Sequence, residues 1–579
     1  MSLLLLSVVA PVIVFPAVLF LSQKWRRAIM LIYIAGLIYL AFYLLSGVEL
    51  GSLTLMSKNL TLFSFSSHPY SKIAGFGFLF VGAIGLLYGL DVSKPGEQAV
   101  LLGAIGSAIG VCFADNFITF LFFWETLTLT TAALVFLKRT PHAVRMAFRM
   151  LLFSLMSGFF LLIGIILQYN ATGTFELMFP VAGLTFFILG IGIKTAFLPL
   201  HLWVPWGYPA ASFPCSVLLA ALCTKVGVYA VARLLPPGNL IYIMGACMAI
   251  YAVIAALLQN DLRHLLSYSI ISKVGFMVCG VGIGVPLAID GGFLFLIHHM
   301  FYKALLFMCA GALIYTVGTE NFQKLQHREE APVGEKGPSP LWKALPVAFI
   351  GALVGALAIS GTPPFNGYVG KHLIKHAVAA ADPAAGLVLT LASIATALCF
   401  CKFVYFGFIK AWGKIRRKLT FSMQAAIVIL SAGCLITGIW PQLLASLTPY
   451  GSSLNVYTAE GIFAALKPIA YGIILFALLA KSLGREIKLF LPAGGVRLVV
   501  DDALTGAYSN ALNSLRVFRE KSYRFAFKMM QKTDYKPGQN RVFQFINVCN
   551  IDFDVLMLLG MLGLALFFLF CLQFGFLAI

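Results

Sequence analysis

The chain is a succession of apolar runs, each close to the length that crosses a bilayer. Such a crossing takes about 20 consecutive apolar residues, and roughly 16 runs of this kind can be marked. They fall near 2–22, 28–46, 72–90, 97–114, 116–137, 146–168, 177–200, 214–235, 240–258, 266–284, 290–316, 343–380, 386–410, 421–440, 459–480 and 553–577. Continuous runs exclude an outer-membrane barrel, whose strands alternate every second residue. They also leave too little charge for a soluble surface. Only 11% of the 579 residues are Asp, Glu, Lys or Arg, against about 25% in a soluble domain. The expected fold class is an all-α polytopic membrane protein, because a lone helix satisfies its own backbone in lipid.

The charge balance assigns the loops to faces. Lys and Arg number 41 against 21 Asp and Glu, a net charge of +20. The excess sits in loops: Lys24–Arg27, Lys138–Arg149, Arg263–His264, Lys324–Lys343, Lys410–Lys418 and the stretch 481–541. Each follows an odd-numbered run, so all share one face. The positive-inside rule makes that face cytoplasmic, with both termini outside. We read the excess as topological and expect no nucleic-acid partner. The run 2–21 has no preceding basic region and no Ala-x-Ala cleavage signal, so it is expected to be a retained helix. The eleven cysteines lie almost all inside apolar runs, without a CxxC spacing. They are read as small apolar residues, and no metal site or cofactor is expected.

Two runs must be broken. Residues 192–205 read Gly-Ile-Lys-Thr-Ala-Phe-Leu-Pro-Leu-His-Leu-Trp-Val-Pro, and residues 359–371 read Ile-Ser-Gly-Thr-Pro-Pro-Phe-Asn-Gly-Tyr-Val-Gly-Lys. Pro199, and the pair Pro363 and Pro364, remove amide donors and clash with the preceding turn. Carbonyls freed at membrane depth must line a polar path or be packed in protein. The breaks fall in runs 7 and 12, at matching places in two five-helix units, 97–235 and 240–410. An odd number of helices per unit makes the two units inverted. Around them stand 1–96, with three helices, 421–480, with two, and a basic segment, 481–550. Within the last, 496–530 has apolar residues at helical spacing, as in an amphipathic helix lying along the membrane or a neighbouring subunit. A cytoplasmic linker held by anionic lipid is the other reading. The run 553–577 would be a terminal anchor.

Ionisable residues inside such runs are functional candidates. Glu125 lies mid-run and is too short to snorkel. Lys194 precedes the first break, Lys225 lies inside run 8, Lys303 inside run 11, and Lys371 follows the Pro-Pro break. His299 and Lys303 are i and i+4, hence on one helix face. This set suits proton relay. Desolvation and a movable carboxylate act in opposite senses on a buried lysine's proton, so moving a partner such as Glu125 can load or unload Lys194. Imidazole at His299 can connect lysines. The pair His298–His299 has no facing histidine pair to hold a haem or metal. His201 and Lys273 are further relay candidates, and His264 is read as a surface residue.

These residues carry a family resemblance. Phe-Trp-Glu125, Lys194-Thr-Ala-Phe-Leu-Pro-Leu-His-Leu-Trp-Val-Pro205, Leu222-Cys-Thr-Lys-Val-Gly-Val-Tyr-Ala230, Asp261-Leu-Arg-His-Leu-Leu-Ser-Tyr-Ser-Ile-Ile-Ser272, His299-Met-Phe-Tyr-Lys-Ala-Leu-Leu-Phe307 and Gly361-Thr-Pro-Pro-Phe-Asn-Gly-Tyr-Val-Gly-Lys371 occur in order over residues 115–375. Together they resemble the antiporter-like subunits of respiratory complex I, Mrp-type Na⁺/H⁺ antiporters and membrane-bound hydrogenases. The resemblance implies two inverted five-helix repeats and a charged file along the mid-membrane plane. Glu125 and Lys194 would be the paired switch, Lys225 the connecting relay, Lys303 and His299 its continuation, and Lys371 the exit. The segment after 480 would be a lateral helix clamping neighbouring subunits. The chain departs from the family at Trp206-Gly-Tyr208, where Asp-Ala-His is usual, at Ser212-Phe-Pro-Cys-Ser216, where Pro-Ser-Pro-Val-Ser is usual, at Lys273, where a neutral polar residue is common, and at Phe295, where His is usual.

The expected function is a proton- or Na⁺/H⁺-translocating subunit of a multi-subunit complex, driven by a redox partner module with Fe–S, flavin or hydrogenase chemistry. The chain shows no nucleotide, flavin or Fe–S motif, so no redox centre of its own is expected. A subunit of a Mrp-type secondary antiporter is the alternative, and a structural scaffold with a lost ion path is a second. Other membrane subunits and lipids are the expected partners, and a cytoplasmic or inner cell membrane the location.

Overall fold

The computed structural model describes residue 14 and residues 18–46, 52–57, 60–326, 339–448, 450–451 and 456–485. The run 553–577, the amphipathic stretch 496–530 and nearly all of the first run lie outside them. Among the described residues, twelve helices are long and apolar enough to cross a membrane. Two further crossings are built from the broken pairs Leu184–Thr195 with Trp203–Ala210 and Pro346–Ser360 with Gly367–Ala381. The chain is thus an all-α, multi-pass membrane protein. One short element was not expected from the apolar pattern, an antiparallel hairpin of Leu53–Ser57 and Leu60–Phe65.

Helix boundaries follow local chemistry. Asn116 caps Phe117–Phe136 by accepting from the Thr119 amide at 2.7 Å, and Thr140 does the same for Ala143 at the start of Pro141–Thr172. Proline at the first helical turn opens many of the others, where its missing amide costs nothing. Gly173, at φ +69°, closes the 32-residue helix. Phe213–Leu234 and Pro286–Thr316 are buried all round and form the centre, whereas Ala459–Leu483 buries only 17% of its apolar window and faces outward. Asn239–Leu257 and Leu262–Gly282 approach closely because both carry glycine at the contact. A Cβ on Gly275 would lie 2.5 Å from the Gly245 carbonyl.

Loop contacts sort the chain ends into two faces. On the first face, Arg27 pairs with Asp91 at 2.6 Å, Ser422 donates to Asp91 at 2.9 Å, Lys138 and Arg263 both donate to the Ala211 carbonyl, and Arg263 pairs with Glu320. These loops follow odd-numbered runs or open even-numbered ones. On the second face, Ser66 binds Asp115, the Phe117 amide donates to Phe175, the Gly238 amide to Gly282 and the Tyr450 amide to Asp290. All the basic loops within the described residues gather on the first face.

Candidate functional site

Both breaks are held by side chains that donate to carbonyls at the helix ends. The first helix ends at Thr195, where Ala196 takes a left-handed φ of +65°. The Trp203 indole then returns to donate to the Ile193 carbonyl at 2.8 Å. The second break turns at Gly361, φ +82°, and the Lys371 ammonium donates to the Ser360 carbonyl at 2.7 Å. Each break holds a cis X–Pro bond, Leu198–Pro199 and Pro363–Pro364. Pro199 lies between Leu184–Thr195 and Trp203–Ala210, and Pro363 and Pro364 lie between Pro346–Ser360 and Gly367–Ala381.

Lys194 occupies the last turn before the first break and is 3% exposed. Its Nζ donates to Thr128 Oγ1 at 2.6 Å and to the Trp124 carbonyl at 3.1 Å, and lies 4.8 Å from the Trp124 ring centre. Glu125 is the next residue along, yet its two buried carboxylate oxygens have no hydrogen-bond partner. The two expected switch residues thus meet at one helix turn without forming an ion pair. Gly158 makes room for the carboxylate, since a Cβ there would collide with Glu125 Oε1. The indole of Trp124 donates to Ser157, which donates to the Gly190 carbonyl, so three helices are tied beside the acid.

The remaining lysines are buried and end on neutral oxygen. Lys225 Nζ donates to the Ala220 carbonyl at 2.5 Å and to Thr224 Oγ1 at 3.2 Å. Lys273 donates to Thr396 Oγ1 at 2.7 Å. Lys303 donates to Ser269 Oγ and, at 3.1 Å, to the Leu266 carbonyl, with the Phe400 ring 5.3 Å away. His299 lies in electrostatic reach of Lys225, Lys273 and Lys303, and neither ring nitrogen has a partner. Lys273 and Lys371 flank one ring, Phe276, at 4.3 and 5.8 Å. Sequence position suggested Lys225, His299, Lys303, Lys371 and, as a further candidate, Lys273, and the folded chain brings Lys273 and Lys371 to one ring. His201 stands apart, packed edge-on against Tyr251 at 5.2 Å with no partner for either nitrogen. Burying a lysine amine costs free energy in either protonation state, so a set of them bonded only to hydroxyls and carbonyls is not a packing solution that stability alone selects.

Several contributors were not foreseen. Thr128, Thr224, Ser269 and Thr396 supply hydroxyl acceptors, and only the three-dimensional contacts single them out among the many Ser and Thr. Gly158 is likewise silent in the pattern, and Trp203 stands in the quoted motif without its contact being legible there. His372, Lys375 and His376 follow Lys371 along one helix, and that spacing was a readable signal.

Residues 114–398 match the family described as NADH:quinone oxidoreductase/Mrp antiporter, TM. One of the Na(+)/H(+) antiporter subunits of Alkalihalophilus pseudofirmus is 26% identical over 477 residues, covering 69% of this chain and 57% of that protein. The chain spans about three fifths of the length of the curated relatives it matches. Its fold is that of a chain in the Mrp complex from Dietzia sp. DQ12-45-1b, with TM-score 0.69 and 19% identity over 80% of this chain and 99% of that one. A chain of respiratory complex I from Thermus thermophilus gives TM-score 0.67 and 21% identity over 82% and 99%. The motif order, the two broken helices and these likenesses agree: residues 114–398 carry the membrane domain of the NADH:quinone oxidoreductase/Mrp antiporter family.

Proposed function

We propose that this chain is an ion-translocating, antiporter-like subunit of a multi-subunit membrane complex. Protons move along Glu125, Lys194, Lys225, His299, Lys303, Lys273 and Lys371. The observation that carries this reading is the file of buried ammonium groups, each resting on a hydroxyl or carbonyl, beside the unbonded carboxylate of Glu125. A carboxylate free to swing toward or away from Lys194 changes the electrostatic cost of that lysine's proton. The neighbouring lysines then feel the change through Coulomb repulsion.

The units 97–235 and 240–410 act in this reading as inverted repeats, each broken once. The face that gathers the basic loops is cytoplasmic by the positive-inside rule. Other membrane subunits are the partners, with segment 481–550 and run 553–577 clamping neighbours. Energy comes from a redox partner module of Fe–S, flavin or hydrogenase type. The second reading, a subunit of a secondary Na⁺/H⁺ antiporter, is favoured by the names of the curated relatives, which are antiporter subunits. Both readings use the same file of residues.

The test is transport by the native complex in everted vesicles. Glu125→Gln and Lys194→Ala should each abolish ion movement while the complex still assembles. Normal transport in both variants removes the proposed mechanism. Mass spectrometry of the gently purified complex separates the readings: co-purifying Fe–S or flavin subunits support a redox pump, and small membrane subunits alone support an antiporter.

A further inference from the structure

Beyond Lys371 the buried file opens into a cavity of about 180 Å³. Ser360, Tyr368, Lys371, His372, Lys375 and His376 line it, and the helix Ala459–Leu483 forms one wall through Ala464, Ala465 and Pro468. Among the described residues no carboxylate lines it. Exposure rises along the lining helix: Lys371 is buried, His372 and Lys375 are half-buried, and His376 is exposed. His372 and His376 are i and i+4, with ring centres 6.2 Å apart. The His372 ring lies 5.3 Å from the Tyr368 ring and against the wall at Gly461, where a Cβ would come within 3.0 Å of His372 Cε1. Away from the cavity, Lys371 shares the Phe276 ring with Lys273, at 5.8 and 4.3 Å. The faces contributed by Pro346–Ser360, Pro383–Val404 and Ala459–Leu483 bring only Ser360, Ser393, small and apolar groups to the lining.

We infer that this cavity is a proton-selective vestibule, in which His372 and His376 carry the proton between Lys371 and the aqueous phase on the face opposite the basic loops. The inference rests on the reading of the chain as an ion-translocating subunit and names its ion at this end. A metal cation needs oxygen ligands, commonly carboxylates, to replace its water. Here it would meet four nitrogen bases and no carboxylate, so it would give up its water for too few oxygen ligands. A proton needs only a nitrogen lone pair. In the step, an N–H bond of the Lys371 ammonium breaks and, through water in the cavity that both side chains line, an N–H bond forms on the neutral His372 imidazole. His372 releases a proton from its other nitrogen toward His376, directly after a ring rotation or through one water, and His376 releases one to bulk. No electron changes hands. Because like charges crowd in one cavity, loading one basic group favours release from another.

The test uses the assembled complex in vesicles, with the cavity face open to the bath. The double variant His372→Ala/His376→Ala should lose proton transport by at least about tenfold. Imidazole added to that bath should restore it, because the cavity is open to small solutes. His372→Gln/His376→Gln keeps bulk and hydrogen bonding and covers the case in which the alanines fail to assemble. In the wild type, raising Na⁺ on the cavity side should leave the rate unchanged. A wild-type rate in either double variant, a loss that imidazole does not restore, or competition by Na⁺ would each overturn the inference. Glu125→Gln is run alongside. If it transports normally the parent reading has failed, and if it is inactive while the histidine variants are normal, only the vestibule has failed.

Discussion

Lys194 Nζ donates to the carbonyl of Trp124 at 3.1 Å, one residue from Glu125, whose carboxylate oxygens have no partner of their own. The Lys194 amine, reaching over from its own helix, therefore lies one residue from the carboxylate without forming an ion pair with it. Thr128 Oγ1, at 2.6 Å, is the group that holds the lysine there. A buried ammonium anchored by one hydroxyl and one carbonyl can exchange that anchorage for a carboxylate at modest cost, whereas an ion pair already closed would have to be broken.

Thr128→Val tests that anchorage. The change keeps the shape and removes the acceptor, leaving the ammonium with one bond fewer at a cost of about 1–3 kcal/mol. The lysine should then shift toward Glu125. Transport in vesicles is expected to fall severalfold, while the amount of assembled complex on a native gel stays near wild type. An unchanged rate would show that Thr128 does not set the position of Lys194.

Gly158→Ala tests the space beside the acid. A Cβ at this position would overlap Glu125 Oε1. The colliding atom is the end of a movable side chain, so the fold should lose little stability, and the carboxylate should be displaced. Transport is expected to approach that of Glu125→Gln, with the unfolding midpoint of the purified complex within a few degrees of wild type. A large drop in that midpoint with unaltered turnover per assembled complex would refute the steric argument.

Trp203→Phe tests the first break. The indole N–H meets the Ile193 carbonyl at 2.8 Å, and no water is at hand in lipid to replace it. The Ile193 carbonyl still accepts from the Ala196 amide at 3.0 Å, so losing the indole bond should cost about 0.5–1.5 kcal/mol, read as a lowered thermal midpoint. Transport should fall as well, because Lys194 is the residue directly after Ile193.

Arg263 tests the contacts of the basic face. It donates to both Glu320 oxygens, at 2.6 and 2.8 Å, and to the Ala211 carbonyl at the end of the first broken helix, at 2.9 Å. Arg263→Ala should destabilise by about 3 kcal/mol. Burial pushes the Glu320 carboxyl up, but hydrogen bonds and charge from Arg263 outweigh it and leave the group below its ordinary value of 4.5. A depressed carboxyl stabilises the fold above its ordinary range, and that stabilisation is lost as pH falls through the folded value. The wild type should therefore lose thermal stability on acidification below about pH 4.5 more steeply than Arg263→Ala. Parallel acid profiles would sever Glu320 from the clamp.

Much of this protein is decided residue by residue. Apolar runs of bilayer length, prolines within two of them, and Lys or Glu where lipid forbids charge are local facts of the chain. They specify helices, breaks and candidate relay positions, because the bilayer forces each segment to satisfy its own backbone. The parity of the basic loops, likewise legible, agrees with the contacts that join Arg27 to Asp91 and Arg263 to Glu320. Distances between segments are another matter. Which carbonyl receives Lys194, which hydroxyl among dozens receives Lys303, that Lys273 and Lys371 share the Phe276 ring, and that His372 and His376 open onto a cavity all depend on how helices remote in sequence rotate and cross. Apolar patterning says little about rotation where most faces are apolar. Close packing at glycines such as Gly158 and Gly275 chooses it, and with it the path a proton can follow.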